Sequence, residues 1–151
     1  MPQKLIHELI LEKEYALAKE KADQCKEHFP ENTYCQAWGM VAELWLGERD
    51  SLHLGSSAPP PFNEHLAPHF YTALFLDQLL QFYLQQENYE QLIEVYIRLN
   101  RIEETPQYHA SLAFAYDKVG DWDQAVRHSF QRYQLQPTAK EEVRAFLKTV
   151  L

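Results

Sequence analysis

The chain has 151 residues, of which 46% are apolar in the broad sense and 13% aromatic, so it is long enough for one domain with a true core and too aromatic for a disordered chain. Its formal charge of −8, from 14 Lys and Arg against 22 Asp and Glu, argues against a phosphate-binding surface and a nucleic-acid partner. No apolar run approaches the ~20 residues of a membrane span, two cysteines are too few for a disulfide scaffold or zinc site, and four glycines leave little room for phosphate-cradling loops.

The segment opening Met1-Pro2-Gln3-Lys4-Leu5-Ile6-His7-Glu8 lacks the apolar stretch of a secretory signal, so a cytoplasmic protein is expected. Leu5, Ile6, Leu9 and Ile10 form a first helical stripe. Tyr15, Ala18, Ala22, Cys25 and Phe29 form a second, which Pro30 ends. Cys35, Trp38, Val41, Ala42 and Trp45 make a third, which stops at Gly47. Residues 51–68 break the periodicity, since Pro59-Pro60-Pro61 removes three backbone donors in a row. Helical spacing then returns over 70–86 (Leu74, Phe75, Leu79, Phe82, Tyr83), 89–102 (Leu92, Ile93, Tyr96, Leu99), 106–119 (Leu112, Ala115, Tyr116) and 122–135 (Ala125, Phe130, Tyr133). A last helix follows Thr138-Ala139-Lys140-Glu141, a capping-box pattern, with Val143, Phe146, Leu147 and Val150 as its stripe. No segment alternates with period two, so the chain reads as all-α.

The helices repeat. Ala18, Leu52, Leu92 and Ala125 occupy equivalent places, at intervals of 34, 40 and 33 residues, and the aromatics Tyr15, Tyr89 and Trp122 open the corresponding helices. Residues 106–139, with Leu112, Ala115, Tyr116, Gly120-Asp121-Trp122-Asp123-Gln124-Ala125 and Pro137, resemble one tetratricopeptide repeat, a 34-residue helix–turn–helix unit. The resemblance extends more weakly over 1–46 and 70–104 and poorly over 47–69. It implies a single domain: a right-handed superhelical solenoid with repeats at about 1–32, 33–69 (degenerate, with a Pro-rich insertion), 70–105 and 106–139. A capping helix at 138–151 closes it. Some seven helices are expected before that cap.

In this family the first helix of each pair lines a concave groove that usually binds peptides or partner segments. The groove-facing places are then Tyr34, Ala37, Val41 and Trp45; Leu74, Gln78, Gln81 and Gln85; and Gln107, Ala110, Phe114 and Lys118. This aromatic, amide-rich lining suits a mixed polar–apolar helix or extended segment rather than a phosphopeptide. One subset of the family clamps chaperone C-termini with Lys, Asn and Arg. The matching places here are Tyr34/Trp38, Leu74/Gln78 and Gln107/Ser111, and the cationic clamp is missing.

Other features have competing readings. His65 and His69 stand at metal-ligand spacing, but Pro68 lies between them and no third ligand is apparent, which favours a solvated loop. Cys25 and Cys35 read as reduced core thiols, with a disulfide or redox switch as the alternative. Glu103-Glu104 and Glu141-Glu142 read as solvated helix termini. Trp38, Trp45, Tyr34 and Phe114 read equally well as binding anchors or core. Within 51–68, Phe62 and Leu66 fold back over an uncovered core, or the proline tract is itself a ligand, or the segment is a passive insertion. No nucleophile elbow or metal-type cysteine spacing is present. The expected function is a non-catalytic scaffold or adaptor that binds a protein or peptide partner without cofactor, metal or membrane insertion. The alternatives are a small secretion-type chaperone, or a regulatory module of a larger enzyme or membrane protein.

Overall fold

Short polar side chains set where the helices begin. Asn32, Asn88, Thr105 and Asp121 each accept a hydrogen bond from the backbone N–H three residues on, at 3.0, 3.3, 3.0 and 3.3 Å. Each satisfies an amide that the first helical turn would leave orphaned. Pro106 adds a preset φ at the first position of its helix.

The computed structural model describes residues 4–52 and 69–151, with side chains from residue 73 onward in the second stretch. The described residues are all-helical, with no strand. The helices are α1 (Ile6–Leu11), α2 (Tyr15–His28), α3 (Thr33–Trp45), α4 (His69–Gln86), α5 (Tyr89–Ile102), α6 (Pro106–Lys118), α7 (Trp122–Leu135) and α8 (Lys140–Val150). Pro137–Ala139 forms a 3-10 turn that leads into α8. The capping box expected at Thr138 is therefore not made. Thr138 lies inside that turn, and Ala139 stands at the cap without a side-chain hydrogen bond.

Among the described residues four have a left-handed backbone: Lys13, Gly47, Glu87 and Gly120, with φ of 64°, 78°, 52° and 83°. Lys13 to Gly47 is 34 residues, Gly47 to Glu87 is 40, and Glu87 to Gly120 is 33. Each turn is closed the same way. The following residue donates its N–H five residues back: Glu14 to Leu9 (2.8 Å), Glu48 to Glu43 (2.9 Å), Asn88 to Tyr83 (3.1 Å) and Asp121 to Tyr116 (2.9 Å). The left-handed residue donates three back, to Ile10, Leu44, Leu84 and Asp117 respectively. This double closure is the Schellman motif, whose left-handed position favours glycine. The spacing of the turns thus reproduces the spacing of Ala18, Leu52, Leu92 and Ala125, and all four of those side chains are buried.

The chain divides into two compact units, residues 1–82 and 83–151. In the first, α2 and α3 run as a close pair, tied at successive levels by a Cys25–Cys35 disulfide and by a Lys19–Glu43 ion pair at 3.1 Å. Tyr15 stacks on Trp45 at 5.2 Å beyond them. Between these ties the backbones come so near that a Cβ on Gly39 would meet the Ala22 Cβ at 3.1 Å. Bonded Cys25 and Cys35 correct the expectation of reduced thiols: the small residues that allow this approach also bring the two Cα atoms to 6.1 Å. Trp38 fills the centre of the unit, edge-on to Phe75 at 5.6 Å.

The second unit stacks α5 on α6, α6 on α7 and α7 on α8 in sequence order. Leu112, Ala115 and Ile93 form its core, flanked by Tyr89, Tyr96, Ile97 and Tyr116. Among the described residues, no helix is long and apolar enough to cross a membrane.

Candidate functional site

The exposed face of α6 is built by helical spacing. Gln107, Ala110, Phe114 and Lys118 recur at intervals of three and four and so share one side of the helix. Opposite, α5 contributes Tyr89, Leu92 and Tyr96. Between the two helices, with Leu84 at one end, lies a cavity of about 230 Å³ lined also by Ser111 and Ala115. Phe114 overlooks it and stays 48% exposed. Its ring meets Tyr89 edge to face at 6.0 Å, and the Lys118 ammonium sits 5.2 Å from the ring centroid. A large apolar ring held in place by an aromatic edge and a cation, yet open to solvent on one side, has the character of a contact anchor.

The other expected groove residues are placed differently. In α3, Ala37 and Val41 are completely buried and offer no surface to a ligand. The reason is that α3 is apolar around most of its circumference, with Cys35, Trp38, Gly39, Ala42 and Leu44 also buried, as in a helix enclosed by neighbours. Tyr34 is half-buried. Its hydroxyl accepts the His7 N–H at 3.1 Å and lies 2.8 Å from His7 Nδ1, an arrangement that ties α3 to α1. Trp45 is half-buried between Tyr15 and Phe82, the latter 5.3 Å away. Trp38 is core, so of the four aromatics with two readings only Phe114 stands open.

On α4, Leu74 is half-buried, Gln81 and Gln85 are exposed, and Gln78 is buried. The turn register explains Gln78. Counting back ten residues from Glu87 as from Gly120 to Ala110, the equivalent position on α4 is Asp77, one residue before Gln78. Asp77 is half-buried and accepts a hydrogen bond from Gln81 Nε2 at 2.8 Å. By that count Asp77, not Gln78, holds the α4 position equivalent to Ala110. His65, Phe62, Leu66 and the three prolines lie outside the described residues, as does the side chain of His69. Among the described residues no group of three or more His, Cys, Asp and Glu is arranged to hold a metal.

A polar cluster missed at the sequence level joins α6 to α7. His109 Nδ1 lies 2.9 Å from His128 Nδ1, and His109 Nε2 lies 3.3 Å from Glu104 Oε2. Asn100 also reaches His109, its Nδ2 lying 3.4 Å from Nε2 while its Oδ1 accepts the Thr105 N–H at 3.0 Å. His128 also stacks on Tyr116 at 5.5 Å. Positions 104, 109 and 128 share no period, so only the pairing of α6 with α7 could reveal them. Burial, the neighbouring His109 and Arg127 hold His128 below the ordinary histidine value.

The sign of the linkage follows. Unfolded His128 takes up its proton first, so its contribution to stability is intact above about pH 6.5 and declines as pH falls below it. His7 is also lowered, chiefly by burial and against the pull of Glu8, and acts in the same direction in the first unit. Urea titrations at pH 7.5 and pH 5.5 are expected to show lower stability at the acid pH. His128→Gln should flatten that dependence for the second unit, and an unchanged slope would show that His128 does not titrate as described.

Comparison with known proteins finds no matching family model, no similar curated protein and no similar solved structure.

Proposed function

We propose that this chain is a non-catalytic protein-interaction scaffold, built from tetratricopeptide-like helical hairpins, that holds a partner segment against the α6 face. The repeat reading is supported by the four Schellman turns, which recur in the register of the equivalent small and apolar positions. The binding reading rests on one observation: Phe114 stands about half exposed beside an apolar cavity. The ligand class suited to this surface is a segment with an apolar side chain for the cavity and polar groups for Gln107, Ser111 and Lys118. Anchors of this kind contribute about 2 kcal/mol or more to binding.

Paired affinity purifications with wild-type and Phe114→Ala baits, read by mass spectrometry, test this. At least one protein should be enriched by the wild type and depleted about tenfold or more by the variant, which corresponds to at least ~1.4 kcal/mol. The far-UV circular dichroism of the two baits should match, because Phe114 is not a core residue. Equal recovery of every partner on both baits would sink the α6 face as the site.

A further inference from the structure

We propose that the groove between α7 and α8 docks an acidic amphipathic helix of a partner protein. The groove encloses about 510 Å³ and lies wholly within the second unit. Its floor is apolar: Phe130 and Tyr133 from α7, Val143 and Leu147 from α8. Phe130 is 53% exposed, so a bulky ring faces water rather than a neighbouring helix.

Along one wall Lys140, Arg144 and Lys148 succeed one another at four-residue intervals and form a continuous cationic edge. Leu151 completes the lining, and among the described residues no acidic side chain takes part in it. Arg144 reaches Glu141 only at 3.7 Å, and both side chains are more than half exposed. Three positive charges beside an apolar trough contrast with a chain whose net charge is −8.

Charge complementarity selects the occupant. A helix with one apolar stripe fills a trough between two helices, and acidic residues on its flank would meet the cationic edge. The 11 residues of α8, at about 1.5 Å per residue, give a seat of roughly 16 Å, or three helical turns. A symmetric pairing of two copies through this groove would set one cationic edge against the other, which disfavours self-association. A bilayer surface needs protruding apolar side chains, whereas these line a concavity.

The test is nuclear magnetic resonance of the isotope-labelled full chain, titrated with two synthetic three-turn peptides. Both carry leucines at helical spacing, one flanked by Glu and the other by Lys. A third titrant is a vesicle of phosphatidylserine and phosphatidylcholine. The Glu peptide should shift the methyl signals of Val143, Leu147 and Leu151 and bind about tenfold or more tightly than the Lys peptide. The triple variant K140E/R144E/K148E should reverse that order with unchanged circular dichroism. If it fails to fold, K140E/K148E, which spares the Arg144–Glu141 pair, should still abolish the preference.

Equal binding of the two peptides, shifts confined to other helices, or vesicles preferred over the Glu peptide would each overturn the proposal. So would shifts of the same methyl groups on simple concentration of the protein, which would place a second copy in the groove.

Discussion

Trp38→Ala should destabilise the first unit by about 4 kcal/mol, within the range for emptying a buried aromatic site. Trp38 is 2% exposed, and its indole is bounded by His7 at 5.7 Å, Tyr34 at 6.4 Å and Phe75 at 5.6 Å. Alanine there would leave a void bordered by three ring systems from α1, α3 and α4. The neighbours have little room to collapse into it, because Tyr34 is pinned to His7 by hydrogen bonds and α2 and α3 are already so close that a Cβ on Gly39 would meet the Ala22 Cβ at 3.1 Å. A loss of this size is a large fraction of the 5–15 kcal/mol that holds a typical domain together. Urea unfolding followed by circular dichroism measures it, with Trp38→Phe as a milder control. A cost below about 1 kcal/mol would mean that the indole is a surface anchor and that the packing described for α3 is wrong.

Reduction of the Cys25–Cys35 bond is the second large effect. The bond closes a short loop of sequence separation 10, for which loop-closure entropy gives about 3 kcal/mol. At a urea dependence of about 1.5 kcal/mol per molar this lowers the midpoint by roughly 2 M. The loss should fall on the first unit alone. Trp38 and Trp45 report that unit by fluorescence, while Trp122 belongs to the second. Cys25→Ser and Cys35→Ser, singly or together, should match the reduced protein, because each removes the same cross-link. Native protein purified without reductant should show no alkylatable thiol. Two reactive thiols in that sample, or a midpoint indifferent to reductant, would count against the bond. Lys19 and Asp23 of α2, Glu43 of α3 and Arg49 just beyond α3 form an ion network in which the Lys19–Glu43 pair joins the two helices independently of the sulfurs. Reduction should therefore loosen the pair without releasing α2.

Helix boundaries were legible in the chain because local chemistry decides them. Pro30, Gly47, Gly120 and Pro137 stop helices by backbone geometry, and the apolar stripes already show where each resumes. The register of the turns was legible too. Two of the four left-handed positions are glycines, and the small or apolar side chains five residues after each turn keep count. Lys13 and Glu87 occupy the same left-handed backbone with no glycine to announce it, so at those turns only the spacing carried the signal.

The candidate site was only partly legible. Phe114 and Val41 hold equivalent places relative to their turns, yet one is open and the other fully buried. Position relative to a turn says which way a side chain points, not whether another element covers it. Gln78 shows how fragile such counting is, since one residue of offset moves a side chain by about 100° around a helix of 3.6 residues per turn, from the open face to the core.

From the order of residues alone follow the all-helical class, the helix limits and the recurring turns, because these depend on contacts within a few positions. Only tertiary packing decided that Cys25 meets Cys35, that His109 meets His128 and Glu104, and that α3 is enclosed while α6 keeps an open aromatic face. Those outcomes join side chains from different elements, and the distance between such groups is a property of how helices pack.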